Sequence, residues 1–183
     1  MIRPTPHVVA MSPYSLAELN APAGKRLISL SQNESLRRPS PQVDDAVANA
    51  VANAHLYPDP EWAGLRNELA ALHRIPASAI LCGNGSMELI ACLTQTYCDE
   101  QGAVLAPAHA YPFFLTATEL TRARYDAAPE EGVTASVDAL LAAVQPDTRI
   151  VFIANPGNPT GTRIPRAELV RLREGLRGDI LLV

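Results

Sequence analysis

The chain has 183 residues, of which 48% are hydrophobic and 19% charged, and its formal net charge is −4. That composition is ordinary for a globular protein, and the mild acidic balance argues against a nucleic-acid surface, which needs clustered Lys and Arg. No apolar run approaches the length of a membrane span and the first residues lack the apolar core of a signal peptide, so no membrane contact and a cytoplasmic location are expected. Cys82, Cys92 and Cys98 are odd in number and lack Cys-x-x-Cys spacing, which predicts neither a disulfide framework nor a zinc site. His7, His55, His73 and His109 show no ligand spacing and read as structural or exposed. Of the 15 basic residues, only Lys25 is a lysine.

Residues 1–42 hold six prolines and no sustained periodicity, and they read as an arm with short strands, residues 27–30 being the clearest. Ser40-Pro41 predicts a helix start. The helix that follows carries Val43, Ala46, Val47, Ala50, Val51 and Ala54 at helical spacing, a stripe for packing. His55 to Pro60 breaks it, and a second helix puts Trp62, Leu65, Leu69 and Leu72 on one face. A short buried strand is expected at 80–82. Gly83-Asn84-Gly85-Ser86-Met87-Glu88 then leads into an apolar helix. A covered strand follows at 103–106, ending in Pro107, with a helix over about 112–120 and an exposed strand near 124–126. Glu130-Glu131-Gly132 reads as an acidic loop before a helix over 137–144.

Ile150, Val151, Phe152, Ile153 and Ala154 form an uninterrupted apolar run, the mark of a strand buried on both faces. A helix over about 165–176 and an apolar strand at 180–183 complete the chain. Strands alternating with helices predict an α/β fold, a three-layer αβα arrangement with a mostly parallel sheet. The final strand would need later chain to cover it, so the fold is expected to be truncated. Residues 1–42 are expected to be an N-terminal arm contributing to a small domain, and 43–183 the first, incomplete part of a larger one.

Two stretches carry chemistry. The run at 150–154 stops abruptly in Asn155-Pro156-Gly157-Asn158-Pro159-Thr160-Gly161, where the prolines cannot extend a ladder and the glycines permit a tight path. A rigid polar loop at the carboxyl end of a strand is where open α/β sheets bind ligands. Gly83-Asn84-Gly85-Ser86-Met87 sits between a predicted strand and a helix, and free N–H groups at a helix start suit a phosphate. No Gly-Lys-Ser/Thr follows, so it is not a Walker loop, and Glu88 stands where the dinucleotide pattern needs a third glycine. A plain turn capped by Ser86 is the alternative.

The heptapeptide at 155–161 resembles the Asn-Pro-x-Asn-Pro-Thr-Gly signature of fold-type I pyridoxal-phosphate-dependent aminotransferases. Gly83-Asn84-Gly85-Ser86-Met87-Glu88 is similar to the Gly-Asn-Gly-Ser-Asp-Glu motif of the histidinol-phosphate aminotransferase group, with Met87 in place of Asp. Tyr111, in Pro107-Ala108-His109-Ala110-Tyr111-Pro112, stands where that family has an aromatic. Ser12-Pro13-Tyr14, the segment Leu30-Ser31-Gln32-Asn33-Glu34 and the segment Leu56-Tyr57-Pro58-Asp59-Pro60 extend the resemblance over nearly the whole chain. Ser35-Leu36-Arg37-Arg38 departs from it.

The resemblance implies the large-domain fold of aspartate-aminotransferase-like enzymes and pyridoxal 5'-phosphate as cofactor. By the same resemblance, amides at Gly85, Ser86 and Met87 hold the cofactor phosphate, Tyr111 stacks on the ring and Asn158 donates to its phenolic oxygen. The resemblance further implies that Tyr57 reaches the cofactor phosphate of a neighbouring subunit and that Tyr14 and Asn33 bind substrate. A homodimer acting on a small-molecule amino acid and a 2-oxo acid is implied. The Schiff-base lysine and the aspartate that pairs with the ring nitrogen are expected after Val183, so no catalytic residue falls in these 183 residues, Lys25 being far from the expected position. The isolated chain is expected to be inactive. A fold-type I decarboxylase acting on threonine phosphate and a non-catalytic phospholigand-binding fragment are the alternatives.

Overall fold

The structure is a computed structural model that describes residues 2–12, 23–28, 33–35 and 37–183. It divides into two compact units, one formed by Met1–Tyr14 with Gly83–Val183 and the other by Ser15–Cys82.

In the larger unit, α1 (Pro6–Ala10) packs on the helix Phe113–Leu120, and the chain from Gly83 on alternates helix and strand. The elements are α4 (Ser86–Tyr97), β1 (Ala103–Pro107), α5 (Phe113–Leu120), β2 (Arg124–Ala128), β3 (Glu130–Glu131), β4 (Thr134–Ala135), α6 (Val137–Ala143), β5 (Thr148–Val151), α7 (Arg166–Gly175) and β6 (Leu181–Leu182). The sheet has strand order β2-β1-β5-β6 with every pairing parallel, and β3 and β4 form a separate antiparallel ribbon.

Alternation along the strands sorts the core into two layers. Val104 and Ala106 of β1, with Ile150 and Phe152 of the β5 segment, pack with Ile90 of α4 and with Phe114 and Ala117 of α5. Leu105 and Val151 face the other way, onto Val137 and Leu140 of α6 and Leu172 of α7. Side chains two apart share a face, so an unbroken apolar run is what a strand covered on both sides requires. Phe152 continues the pattern past the end of β5, its N–H donating to the Leu105 carbonyl at 2.9 Å. The helices therefore lie on both faces of a parallel sheet, as the alternation in the sequence predicts. Residues 180–183 contribute β6 at one edge of the described sheet, half-buried and not central to it.

The smaller unit holds α2 (Pro41–Val51), α3 (Ala63–His73) and a single helical turn at Ala77–Ala79. Asp59 organises the entry to α3: its carboxylate accepts from the Glu61 N–H at 2.9 Å and the Ala63 N–H at 2.7 Å, standing in for a conventional cap. Arg66 ties α3 to the turn by donating twice to the Ala77 carbonyl, at 3.0 and 2.8 Å. Two expectations fail in this unit. The Val43, Val47 and Val51 stripe is exposed, and neither α2 nor α3 has a buried residue. Residues 80–82 form no strand and Leu81 is exposed, because no neighbouring strand pairs with them among the described residues. Of the short strand expected at 27–30, Leu27 and Ile28 are exposed and outside any element, and the other two residues lie outside the described ones.

Among the described residues no helix is long and apolar enough to cross a membrane. Cys98 follows α4 into the core, where burial, reinforced by Asp99, pushes its thiol up from about 9 to about 11. The unfolded chain loses that proton first, so this contribution to stability is whole below pH 9 and declines between pH 9 and 11. We expect Cys98→Ala to flatten that decline, read as unfolding temperature against pH from 8 to 11.

Candidate functional site

Parallel strands send their carboxyl ends to one edge of a sheet. The loop after β1, which carries His109, Ala110 and Tyr111, and the loop after β5, which carries Asn155 to Gly161, therefore leave from the same edge. The opposite edge is dressed with exposed ion pairs, Arg124 to Asp147 at 2.5 Å and Arg149 to Asp179 at 3.5 Å. Helix α4 starts near the first edge: Ile90, one turn in, shares a core cluster with Phe114, Phe152 and the half-buried Tyr111. Phe114 stacks on Phe152 at 4.5 Å and 7°, and Tyr111 meets Phe114 edge-on at 5.6 Å and 86°. Stacked and edge-to-face pairs are the favoured aromatic geometries, so Tyr111 stands on a firm base.

The start of α4 has the features of an anion seat. Gly85, with φ +83°, occupies the cap position in a backbone conformation that only glycine adopts cheaply. Ser86 is the first helical residue and does not cap the helix. Glu88 folds back and takes both the backbone and side-chain N–H of Asn84. Among the described residues no side chain caps the amides of Ser86 and Met87, and both residues are exposed.

The two asparagines of the second loop differ. Asn155 is used up within the fold: its Nδ2 donates to the Ile164 carbonyl at 3.1 Å and its Oδ1 accepts from the Ile164 N–H at 2.9 Å. That pair closes the loop into a hairpin-like turn, helped by Gly157 N–H to Thr162 carbonyl at 2.7 Å and Gly161 N–H to Gly157 carbonyl at 2.8 Å. A side chain at Gly157 would run into the Thr160 hydroxyl, so the close path requires glycine there. Both Asn-Pro bonds are cis. The Asn158 side chain has no hydrogen-bond partner among the described residues, and it lines a cleft with His109, Ala110, Glu130, Thr160 and Thr162.

A family model for aminotransferase class I and II matches residues 25–183. The chain belongs to that family. It is similar to the histidinol-phosphate aminotransferase of Rhodospirillum rubrum, 41% identical over 181 residues that cover 99% of this chain and 49% of the relative. The corresponding protein of Paramagnetospirillum magneticum is 42% identical over 180 residues, covering 98% of this chain and 50% of its own length. Among solved structures, histidinol-phosphate aminotransferase from Sinorhizobium meliloti in complex with pyridoxal-5'-phosphate matches with a TM-score of 0.75 and 27% identity, over 79% of this chain and 39% of that one. The chain spans about half the length of the curated relatives it matches.

For this aminotransferase-family chain, Gly85, Ser86, Met87, Tyr111 and Asn158 all belong to the larger unit. Of these, only Asn158 lines the cleft itself, with Tyr111 next in sequence to the lining residue Ala110. Tyr57 and Asn33 belong to the smaller unit, where both are exposed and Asn33 has φ 55°. Tyr14 lies outside the described residues. Sequence reasoning missed His109 and Glu130. The Glu130 side chain, only 3% exposed, sits 2.6 Å from His109 Nδ1 across 21 residues of chain. Nothing local in either segment signals that pairing.

Proposed function

We propose that the protein of which these residues form part is a pyridoxal-phosphate-dependent aminotransferase, moving an amino group between an amine or amino acid and a 2-oxo acid. Histidinol phosphate is the donor that the relatives favour. The observation that carries the reading is Asn158, an amide in the cleft with no hydrogen-bond partner among the described residues, while its neighbour Asn155 is engaged at both side-chain atoms.

The donor set fits a phosphorylated hydroxypyridine. Uncapped amides at Ser86 and Met87, with the α4 dipole behind them, suit a phosphate dianion. The Tyr111 ring offers an aromatic platform, and its contact with Phe114 leaves it little freedom to turn. The Asn158 amide would donate to a phenolate oxygen, a charge-assisted bond that fixes the ring in its own plane. When bound, pyridoxal phosphate supplies an electron-withdrawing ring that stabilises negative charge on the carbon bearing the amine. Replacement of the motif's Asp by Met87 leaves the backbone donor in place and removes a carboxylate from beside the phosphate.

We assign Tyr57, whose side chain is wholly exposed, to the phosphate of a second copy in a homodimer, and Asn33 and Tyr14 to substrate. Residues 1–42 are assigned to an arm and 43–183 to the cofactor-binding domain, with a cytoplasmic location. To test the function, the natural-length gene product is loaded with pyridoxal phosphate and given histidinol phosphate or single amino acids with 2-oxoglutarate. Glutamate should form, and the 183-residue chain alone should form none. Carbon dioxide release without amino transfer would replace this reading by a decarboxylase.

A further inference from the structure

The β3–β4 ribbon touches both loops of the cleft. At one end, Glu130 of β3 accepts from the His109 backbone N–H at 3.3 Å, and its other carboxylate oxygen is hydrogen-bonded to the His109 ring Nδ1 at 2.6 Å. The Glu130 side chain is 3% exposed and that of His109 56%, so the carboxylate is the anchored partner and the imidazole the visible one. A carboxylate buried this deeply needs its donors, which makes the contact a fixed brace. At the turn of the ribbon, the Val133 carbonyl accepts from Thr162 Oγ1 at 3.0 Å, and Thr162 Oγ1 in turn meets Thr160 Oγ1 at 2.8 Å. The Thr162 carbonyl is the one that closes the turn at Gly157, next to Asn158.

One short ribbon thus holds the loop of Tyr111 through Glu130 and the loop of Asn158 through Val133. We infer that the β3–β4 ribbon is a spacer that sets the gap between the aromatic platform and the Asn158 amide, with Glu130 and Thr162 as its positioning residues. A planar ligand stacked on one loop and hydrogen-bonded in plane by the other senses any change in that gap, because a displacement of about 1 Å is enough to lose a well-aligned contact. Neither residue touches the ligand on this account. The inference rests on the reading of the cleft proposed above.

The test uses the natural-length protein, pyridoxal 5'-phosphate, and the circular dichroism induced in the ligand's visible band, which reports the ligand's orientation and not only its presence. Glu130→Ala and Thr162→Val are each expected to weaken binding by about tenfold and to halve the induced signal or more. Glu130→Gln keeps one acceptor and Thr162→Ser keeps the hydroxyl, so both should stay within about threefold of the parent. All are measured well below each variant's unfolding temperature, with far-ultraviolet spectra matched. Unchanged signal and affinity in Glu130→Ala and Thr162→Val, beside a loss in Asn158→Ala, would overturn the spacer and leave the cofactor site standing. Losses that follow unfolding temperature, with Gln as damaging as Ala, would also overturn it. A parent protein that gives no induced signal at all would remove the cofactor reading and the spacer with it.

Discussion

Phe152→Ala is expected to cost about 3–5 kcal/mol of stability, the range for deleting a fully buried aromatic ring. Phe152 has no exposed surface, and its ring stacks on Phe114 at 4.5 Å. Phe114 bridges it to Tyr111, so the cavity would open beneath the aromatic platform and not in a remote part of the core. The same variant should therefore weaken pyridoxal phosphate binding even at temperatures where it stays folded. Phe152→Leu refills part of the volume without the ring and should recover stability more than binding. Denaturant unfolding with an unchanged slope measures the first effect, and ligand titration of the folded variant measures the second. A loss below about 1 kcal/mol for the alanine variant would mean that neighbouring side chains collapse into the space, and that the stack does not support Tyr111.

What the sequence made legible follows from how far apart the interacting groups are. The run at 150–154 reads as a doubly covered strand because period-two alternation assigns Ile150 and Phe152 to one layer and Val151 to the other. Strand β5 ends at Val151, while inter-strand hydrogen bonds from Phe152 and Ile153 and the burial of Phe152 carry the pattern further. The boundaries of α5, α6 and α7 fall close to their predicted places, because apolar spacing and turn residues are local signals. Residues 80–82 look equally apolar yet form no strand, since a strand exists only with a partner, and partners are set by distant chain. The α2 stripe shows the same limit: helical spacing predicts a packing face without naming what packs on it. Nor does spelling separate Asn155 from Asn158. Both precede proline, and only the position of Ile164, nine residues beyond the first, decides which one is engaged.

That difference leads to a prediction in which neighbouring, identical residues fail in opposite ways. Asn155→Ala removes both hydrogen bonds to Ile164, a residue that is nearly buried, and leaves its backbone N–H without a partner. An unsatisfied buried donor costs about 1–3 kcal/mol, so this variant should unfold earlier. Its cofactor affinity should fall only as far as the loop loosens. Asn158→Ala removes an amide that bonds to nothing among the described residues, so its unfolding temperature should stay within error of the parent. A hydrogen bond to a charged group contributes about 1.5–3 kcal/mol, and its loss predicts pyridoxal phosphate binding weaker by about 10- to 100-fold. Asn158→Asp has almost the same shape but offers an acceptor where a phenolate needs a donor, so it should bind no better than the alanine variant. Unfolding curves and ligand titrations on the three natural-length variants separate the two roles. If Asn158→Asp bound as tightly as the parent, the side chain would be filling space and not donating a hydrogen bond, and the cleft would have lost its claim to a phenolate.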